Sequence, residues 1–173
     1  MATRALTLRR MRFEDVSDVL RLVRRAVDHG CRAHYDSAQR AAVYASYASH
    51  LFVEALGPCD TRIAEDGDRI VGLAQVDPRE DRLRALFVDA ADQGRGVGGA
   101  LVAEMEARAR RRGAVRLHGA MSLNAVPFYL RAGFERCDGP ARLGSAPVWV
   151  PVVRMQKHLY AAVAGPTSKT VVW

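Results

Sequence analysis

Lysine, cysteine and long apolar runs are all scarce in this chain of 173 residues. Only Lys157 and Lys169 are lysines, and Cys31, Cys59 and Cys137 lie far apart. Without a C-x-x-C pair the cysteines indicate neither a zinc site nor a disulfide framework, so we expect no metal. No apolar run approaches the roughly 18 to 20 residues of a membrane span, and the first residues lack the apolar core of a signal peptide. We therefore expect a cytoplasmic protein without a membrane partner.

The rest of the composition is that of an ordinary globular domain. Hydrophobic residues make up 49% of the chain and charged residues 26%, which excludes disordered, collagen-like and coiled-coil proteins. A chain of this length buries roughly 70% of its unfolded surface, enough for one core. We expect a single domain over residues 1–159, followed by a tail over 160–173 whose role the pattern does not indicate.

The formal net charge of +7 raises the hypothesis of a nucleic-acid partner. The distribution argues against it, because the arginines are spread from Arg4 to Arg154. The dense run at residues 108–112 precedes Gly113 at the end of a helical pattern, where cations interact favourably with the helix dipole. Aromatic residues make up only 7%, too few for a stacking surface that binds single strands. We expect no nucleic-acid partner.

Hydrophobic periodicity predicts an alternation of strands and helices. The expected strands cover residues 5–11, 61–65, 69–76, 82–88, 114–121, 134–137 and 148–156. Helices are expected over 13–30, from 37 onward with 50–56 as an extension or a separate helix, from after 89 to 113, and over 124–132 with Asn124 as its cap. Asp-Gly-Asp at 66–68 is a tight-turn signal, and the strand, helix and strand over 82–121 imply one parallel crossover.

A glycine-rich turn at residues 93–99, Gln-Gly-Arg-Gly-Val-Gly-Gly, follows a strand and opens a helix. Glycines let backbone N–H groups approach a phosphate, which the helix dipole also favours. The dinucleotide fingerprint does not fit, because five residues separate the strand from the first glycine of the match and no acid follows about 20 residues later. A Walker A loop is excluded by the absence of lysine. The turn predicts a different phosphate or pyrophosphate ligand.

Two motifs resemble those of the GCN5-related N-acetyltransferases. Residues 93–98 fit the family's acetyl-CoA pyrophosphate loop, Q/R-x-x-G-x-G/A, and residues 125–134 fit its A-x-x-F-Y-x-x-x-G-F segment. The resemblance covers residues 5–158. It implies a mixed α/β fold: a mostly antiparallel sheet of about six to seven strands, flanked by helices, whose single parallel crossover carries the acetyl-CoA loop. In one departure, Ser122 stands where many members have asparagine, and Asn124 lies two residues later.

The resemblance implies acetyl-CoA as co-substrate and a primary amine of a small molecule or peptide as acceptor. Tyr129 would be the general acid that protonates the departing thiolate. The residues that would bind the cofactor are Leu86, Phe87, Val88, Gln93, Gly94, Arg95, Gly96, Val97, Gly98, Gly99 and Asn124. The alternative is an acyl-CoA sensor or interaction module with this fold and little turnover. Many members form dimers, so a homodimer is an expectation as well.

The acceptor side is less defined than the cofactor side. The candidates for a general base are Glu65, Asp81, His34 and His118, and those for the acceptor pocket are Tyr35, Tyr47 and Trp149. Arg95 and the cluster at 108–112 are expected to serve the phosphates of CoA. The net charge then predicts salt-sensitive cofactor binding and a preference for acceptors that are not strongly cationic.

Overall fold

The computed structural model describes residues 6–54, 57–143 and 148–160, apart from the side chains of residues 49 and 51–54. The strands are β1 (Leu6–Arg10), β2 (Asp60–Asp66), β3 (Arg69–Asp77), β4 (Arg82–Val88), β5 (Arg116–Ser122), β6 (Glu135–Arg136), β7 (Ala141–Arg142) and β8 (Pro151–His158). The helices are α1 (Val16–Gly30), α2 (Ser37–Glu54), α3 (Val97–Arg111) and α4 (Val126–Arg131). Short 3-10 turns cover Phe13–Asp15, Ala90–Asp92 and Leu123–Ala125.

The strands form one mixed sheet in the order β1-β2-β3-β4-β5-β8-β6, with β7 also paired to β8. The first four strands form an antiparallel meander, β4 and β5 are parallel, and the remaining pairs are antiparallel. This confirms the predicted fold class and its parallel crossover through α3. Eight strands are described rather than six or seven. The additional strand is β7, which has only two residues, as β6 does.

Helices cover both faces of the sheet and enclose two cores. Alternation along the central strands divides their side chains, so that Ile63 and Leu73 pack toward α1 and α2 while Ala64 and Ala74 pack toward α3 and α4. All four are fully buried. Packing on both faces thus fixes the positions of the central strands, which lie beside the parallel pair.

Several element ends differ from the sequence predictions. The last strand was expected over 148–156 but runs from Pro151 to His158, and the strand expected over 134–137 is reduced to β6. Asn124 makes no capping bond, because it lies within a 3-10 turn and Ala125 takes the cap position of α4. The predicted tail beyond residue 160 and the predicted strand start at residue 5 lie outside the described residues. No described helix has the length and apolar character needed to cross a bilayer.

Candidate active site

The parallel strands β4 and β5 separate soon after they meet. Among the described residues, their ladder pairing is limited to Arg82 with His118. Close approach is possible there because β5 carries glycine: a Cβ at Gly119 would lie 2.6 Å from the Leu83 carbonyl oxygen. Beyond this point a groove opens between the carboxyl-terminal halves of the two strands, with the glycine-rich turn at its end.

A bulge interrupts β4 close to its contact with β5. Leu83 pairs with Val76 and Ala85 pairs with Gln75, so Arg84 has no opposite residue on β3. Bulges bend a strand and increase its local twist. The bulged residue lies two positions beyond Arg82, where the pairing of β4 with β5 ends.

The groove exposes one edge of β4. The Asp89 N–H donates to the Val71 carbonyl at 2.9 Å, which fixes the alternation of the β3–β4 ladder. In an antiparallel ladder the residues between hydrogen-bonded pairs direct their N–H and C=O groups away from the partner strand. Leu86 and Val88 are such residues, so their backbone groups face the groove. The Val88 carbonyl is 3.4 Å from the Gln93 side-chain amide that donates to it.

The glycine-rich turn leaves open space at three of its glycines. Gly94 and Gly96 have φ values of +78° and +85°, a left-handed conformation that other residues adopt only under strain. Gly99 does not have a positive φ, so its backbone conformation is open to other residues. A Cβ at any of the three would meet nothing within 4 Å. The protein itself therefore does not require glycine at position 99, whereas a ligand approaching the first turn of α3 would.

A buried carboxylate holds the turn in place. The Asp92 side chain, 1% exposed, accepts hydrogen bonds from the Arg69 guanidinium at 2.8 and 3.0 Å and forms an ion pair with Arg95. The hydrogen bonds from Arg69 lower the pKa of Asp92. Arg95 also contacts Asp66 at 3.1 Å. The guanidinium expected to serve a phosphate is thus already paired with two carboxylates.

The turn also packs against α4. A Cβ at Gly98 would lie 3.1 Å from the Phe128 ring, so the first turn of α3 and the start of α4 are in tight contact. Val97 is 3% exposed and belongs to the core, which leaves only its backbone for a ligand. The two motifs found in the sequence are therefore adjacent in space.

Two amide side chains meet at the end of α1. A Cβ at Gly30 would lie 3.4 Å from Asn124 Nδ2 and 3.9 Å from Gln93 Nε2. The Cys31 thiol donates to Asn124 Oδ1 at 3.4 Å. Gln93 and Asn124, both predicted to bind the cofactor, thus lie on the α1 side of the turn.

Tyr129 lies inside the groove. Its ring packs edge-on against Phe128 and Phe134 with centroids 5.1 and 5.2 Å away, and the residue is 4% exposed. It lines a narrow cavity of about 40 Å³ together with Leu86 and Phe87 of β4. Burial raises the pKa of its phenol, so the group stays protonated at neutral pH. Sequence-predicted residues of β4 and α4 are thereby brought together.

The three predicted acceptor-pocket aromatics have different surroundings. The Tyr35 hydroxyl makes two structural hydrogen bonds: it donates to the Pro151 carbonyl at 2.7 Å and accepts from the Leu123 N–H at 2.8 Å. Trp149 is 57% exposed and lines none of the cavities described here. Tyr47 lines both the Tyr129 cavity and a neighbouring one.

The structure brings none of the predicted base candidates into the groove. Glu65 is paired with an arginine of β1 at 2.7 Å, and His34 is exposed. His118 Nε2 lies 2.9 Å from a backbone carbonyl of the β3–β4 turn, which also contains Asp81. No group of three or more potential metal-ligating side chains occurs among the described residues.

Sequence reasoning missed His50. It lines a cavity of about 170 Å³ next to Tyr47, and its Nδ1 is 3.3 Å from the Arg84 guanidinium. The signal was weak, because His50 lies in a helix without any motif and only the fold brings α2 over β4.

The arginine cluster at residues 108–112 lies at the wrong end of α3 for the predicted role. The helix has 15 residues, which makes it about 22 Å long, and the glycine turn is at its opposite end. Arg108 and Arg112 form ion pairs with Asp60, and Arg110 is paired with Glu106 at 3.1 Å. The expectation that this cluster serves the phosphates of CoA is therefore wrong, whereas its place in the last turn of the helix is as predicted.

The family follows from comparison with known proteins. A family model described as an acetyltransferase (GNAT) domain matches residues 31–159. The chain belongs to the GNAT acetyltransferase family. A search of curated proteins found no match.

Solved structures with the same fold cover nearly the whole chain. A GCN5-related N-acetyltransferase from Rhodopseudomonas palustris is 26% identical with a TM-score of 0.81, over 91% of this chain and 98% of that one. The PaiA N-acetyltransferase from Thermoplasma acidophilum, in complex with coenzyme A, is 16% identical with a TM-score of 0.73, over 89% and 99%. YncA from Salmonella typhimurium, with acetyl-CoA, is 20% identical with a TM-score of 0.61, over 95% and 99%.

Proposed function

We propose that this chain transfers the acetyl group of acetyl-CoA to a primary amine of a small molecule or peptide, by direct attack in a ternary complex. The observation that carries the proposal is the groove between β4 and β5. It connects an open glycine turn at a helix N-terminus with the buried phenol of Tyr129. Family membership and the solved relatives that hold coenzyme A or acetyl-CoA support the same cofactor for this chain.

The open space at the glycine turn fits a pyrophosphate. Backbone N–H groups of residues 94–99 would donate to its oxygens, and the dipole of α3 would favour its negative charge. Gly94, Gly96 and Gly99 have no side chain to obstruct this approach. Gln93 and Asn124 would contact the cofactor from the α1 side.

The exposed edge of β4 fits the amide-containing arm of the cofactor. Leu86 and Val88 direct backbone groups that are outside the β3–β4 ladder into the groove, where the arm would pair with them as an added strand does and would replace the 3.4 Å bond from Gln93 to the Val88 carbonyl. The Phe87 side chain packs edge-on against Tyr47 with centroids 5.0 Å apart, so this residue would shape the wall between cofactor and acceptor. A β4 N–H near Val88 would stabilise negative charge on the thioester oxygen.

Acetyl-CoA supplies an activated acetyl group: the amine nitrogen bonds to the carbonyl carbon, the carbon–sulfur bond breaks, and CoA leaves as the thiol. Tyr129 would give its phenolic proton to the departing sulfur. The amine nitrogen loses one proton in the same reaction, and an equivalent proton would return the phenolate to the phenol. An ordinary thiol has a pKa of about 8.5 and tyrosine one of about 10, so transfer from a tyrosine is uphill in water. Burial raises the pKa of the Tyr129 phenol and would raise that of the thiol as well, so the transfer requires the phenol to be held close to the sulfur.

The experiment that tests the proposal measures CoA release with a broad panel of primary amines at saturating acetyl-CoA. Acetyl-CoA binding is measured on the same protein by calorimetry. Binding together with amine-dependent CoA release supports the enzyme. Binding without release from any amine favours the alternative, an acyl-CoA sensor with this fold.

A further inference from the structure

A second cavity adjoins the Tyr129 cavity on the α2 side of the sheet. Its volume is about 170 Å³, enough for an amino-acid-sized molecule. The lining residues come from α2, β4, β5 and the segment after β7: Ser46, Tyr47, His50, Arg82, Leu83, Arg84, Ala120 and Leu143. Four of them, Tyr47, Leu83, Arg84 and Ala120, also line the Tyr129 cavity. The two cavities therefore lie side by side and share part of their walls.

Tyr47 belongs to the walls of both cavities. Burial raises its pKa to about 12, while the positive charges of Arg82 and Arg84 act against that increase. Tyr47 in turn acts on the pKa of Tyr129. Tyr129 lines only the first cavity and Arg82 only the second, whereas Arg84 lines both. A molecule that reaches from one cavity into the other, with its amine on the Tyr129 side, would have its other end beside Arg82.

Two guanidinium groups, those of Arg82 and Arg84, line the second cavity. Arg84 contacts the buried Asp77 at 3.2 Å, and Asp77 is held more closely by Arg79 at 2.6 Å. Arg82 approaches Glu80 only to 3.8 Å, and both side chains are largely exposed. Such an exposed pair contributes little and exchanges readily for a ligand. None of the described lining residues of either cavity is an aspartate or glutamate.

We propose that the acceptor is an amine that also carries a carboxylate, as an α-amino acid does, and that Arg82 binds this carboxylate with Arg84 beside it. The inference rests on the proposed function and names its substrate class. A guanidinium donates two parallel hydrogen bonds to a carboxylate, which fixes the position of the ligand as well as its charge. An acceptor with a second cationic group would meet repulsion at the same place.

The test compares kcat/KM for acceptors that differ only in the anionic group. Several α-amino acids of different side-chain size are each measured beside the corresponding amide, decarboxylated amine and aminophosphonate, with CoA release as the readout. The proposal expects at least a tenfold preference for an acid over its amide and its decarboxylated amine. It also expects Arg82→Gln to lower the ratio of acid to amide at least tenfold. The control Arg21→Gln, on the exposed surface of α1, leaves that ratio unchanged.

The outcomes separate this inference from the proposed function. Acetylation of amides or decarboxylated amines at least as fast as of acids overturns the inference and leaves the acetyltransferase in place. Three other results also overturn the inference. In the first, Arg82→Gln lowers kcat/KM equally for acid and amide. In the others, the phosphonate is preferred to the acid, or the protein binds acetyl-CoA but acetylates no acid. Failure to bind acetyl-CoA overturns the proposed function itself.

Discussion

Gly119 of β5 lies against the Leu83 carbonyl oxygen of β4, at the point where the two parallel strands meet before they separate. A Cβ at Gly119 would be 2.6 Å from that oxygen and 3.0 Å from the Met121 methyl group. The methyl group can rotate away, but the carbonyl belongs to the backbone of a central strand. The lower end of the groove is therefore set by a glycine.

Replacement of this glycine is expected to displace the strands. Gly119→Ala should lower the free energy of unfolding by about 1–3 kcal/mol, as overpacking in a core does, and should weaken acetyl-CoA binding through the distorted groove. Urea unfolding measures the first effect and calorimetry the second. A variant with wild-type stability would contradict the close contact between β4 and β5.

Gly99→Ala introduces the same methyl group where the protein leaves space. Alanine forms helices more readily than glycine by up to about 1 kcal/mol, so the unliganded variant should be as stable as the wild type or more so. Its affinity for acetyl-CoA should nevertheless fall at least tenfold, because the methyl group occupies the approach of the pyrophosphate. Unchanged affinity would show that the first turn of α3 does not contact the ligand.

Tyr129→Phe removes the proposed general acid and leaves the ring between Phe128 and Phe134. We expect kcat to fall about 100-fold, within the usual contribution of general acid catalysis, and the dissociation constant of acetyl-CoA to change less than twofold. Tyr44→Phe, on α2 beneath the Arg24 guanidinium, is the matched control. Unchanged turnover at saturating acetyl-CoA and acceptor would remove Tyr129 from the mechanism.

Alkaline pH should destabilise the protein through Cys31. Burial raises the pKa of this thiol from 9.0 to about 11, so between these values the unfolded state loses a proton that the folded state retains. This contribution to stability is complete below pH 9 and is lost as the pH rises toward 11, by up to about 2–3 kcal/mol. Urea unfolding at pH 8, 9 and 10 should show the decline, before the buried tyrosines add to it. Cys31→Ala should flatten it and Cys137→Ala should not.

Local patterns were sufficient for most of the fold. The Asp-Gly-Asp turn, the change from period two to 3.6 after β4, and the helix stop at Gly113 are all short-range signals, and the structure has these elements where they were expected. The two-residue strand β7 carries no such signal, because it exists only through its pairing with β8. The 3-10 turn at Leu123–Ala125 likewise replaced a predicted cap at Asn124.

The candidate site likewise has one part with a local sequence signal and one part that only the fold assembles. The glycine turn is contiguous in the sequence, so its ligand chemistry could be inferred from the chain alone. The proposed acceptor side combines residues from α2, β4 and β5, and nothing in the local sequence relates His50 to Arg84. Charge counting was misleading for residues 108–112, since a cluster near the turn in sequence lies a full helix length away from it.

Calorimetric titration of acetyl-CoA into the full chain tests the central claim most directly. The account predicts saturable binding of one acetyl-CoA per chain at micromolar concentrations, with affinity that falls as salt rises because the ligand is an anion held by the helix dipole and backbone N–H groups. No heat and no competition by CoA up to high micromolar concentration would contradict the assignment of the β4–β5 groove as the cofactor site.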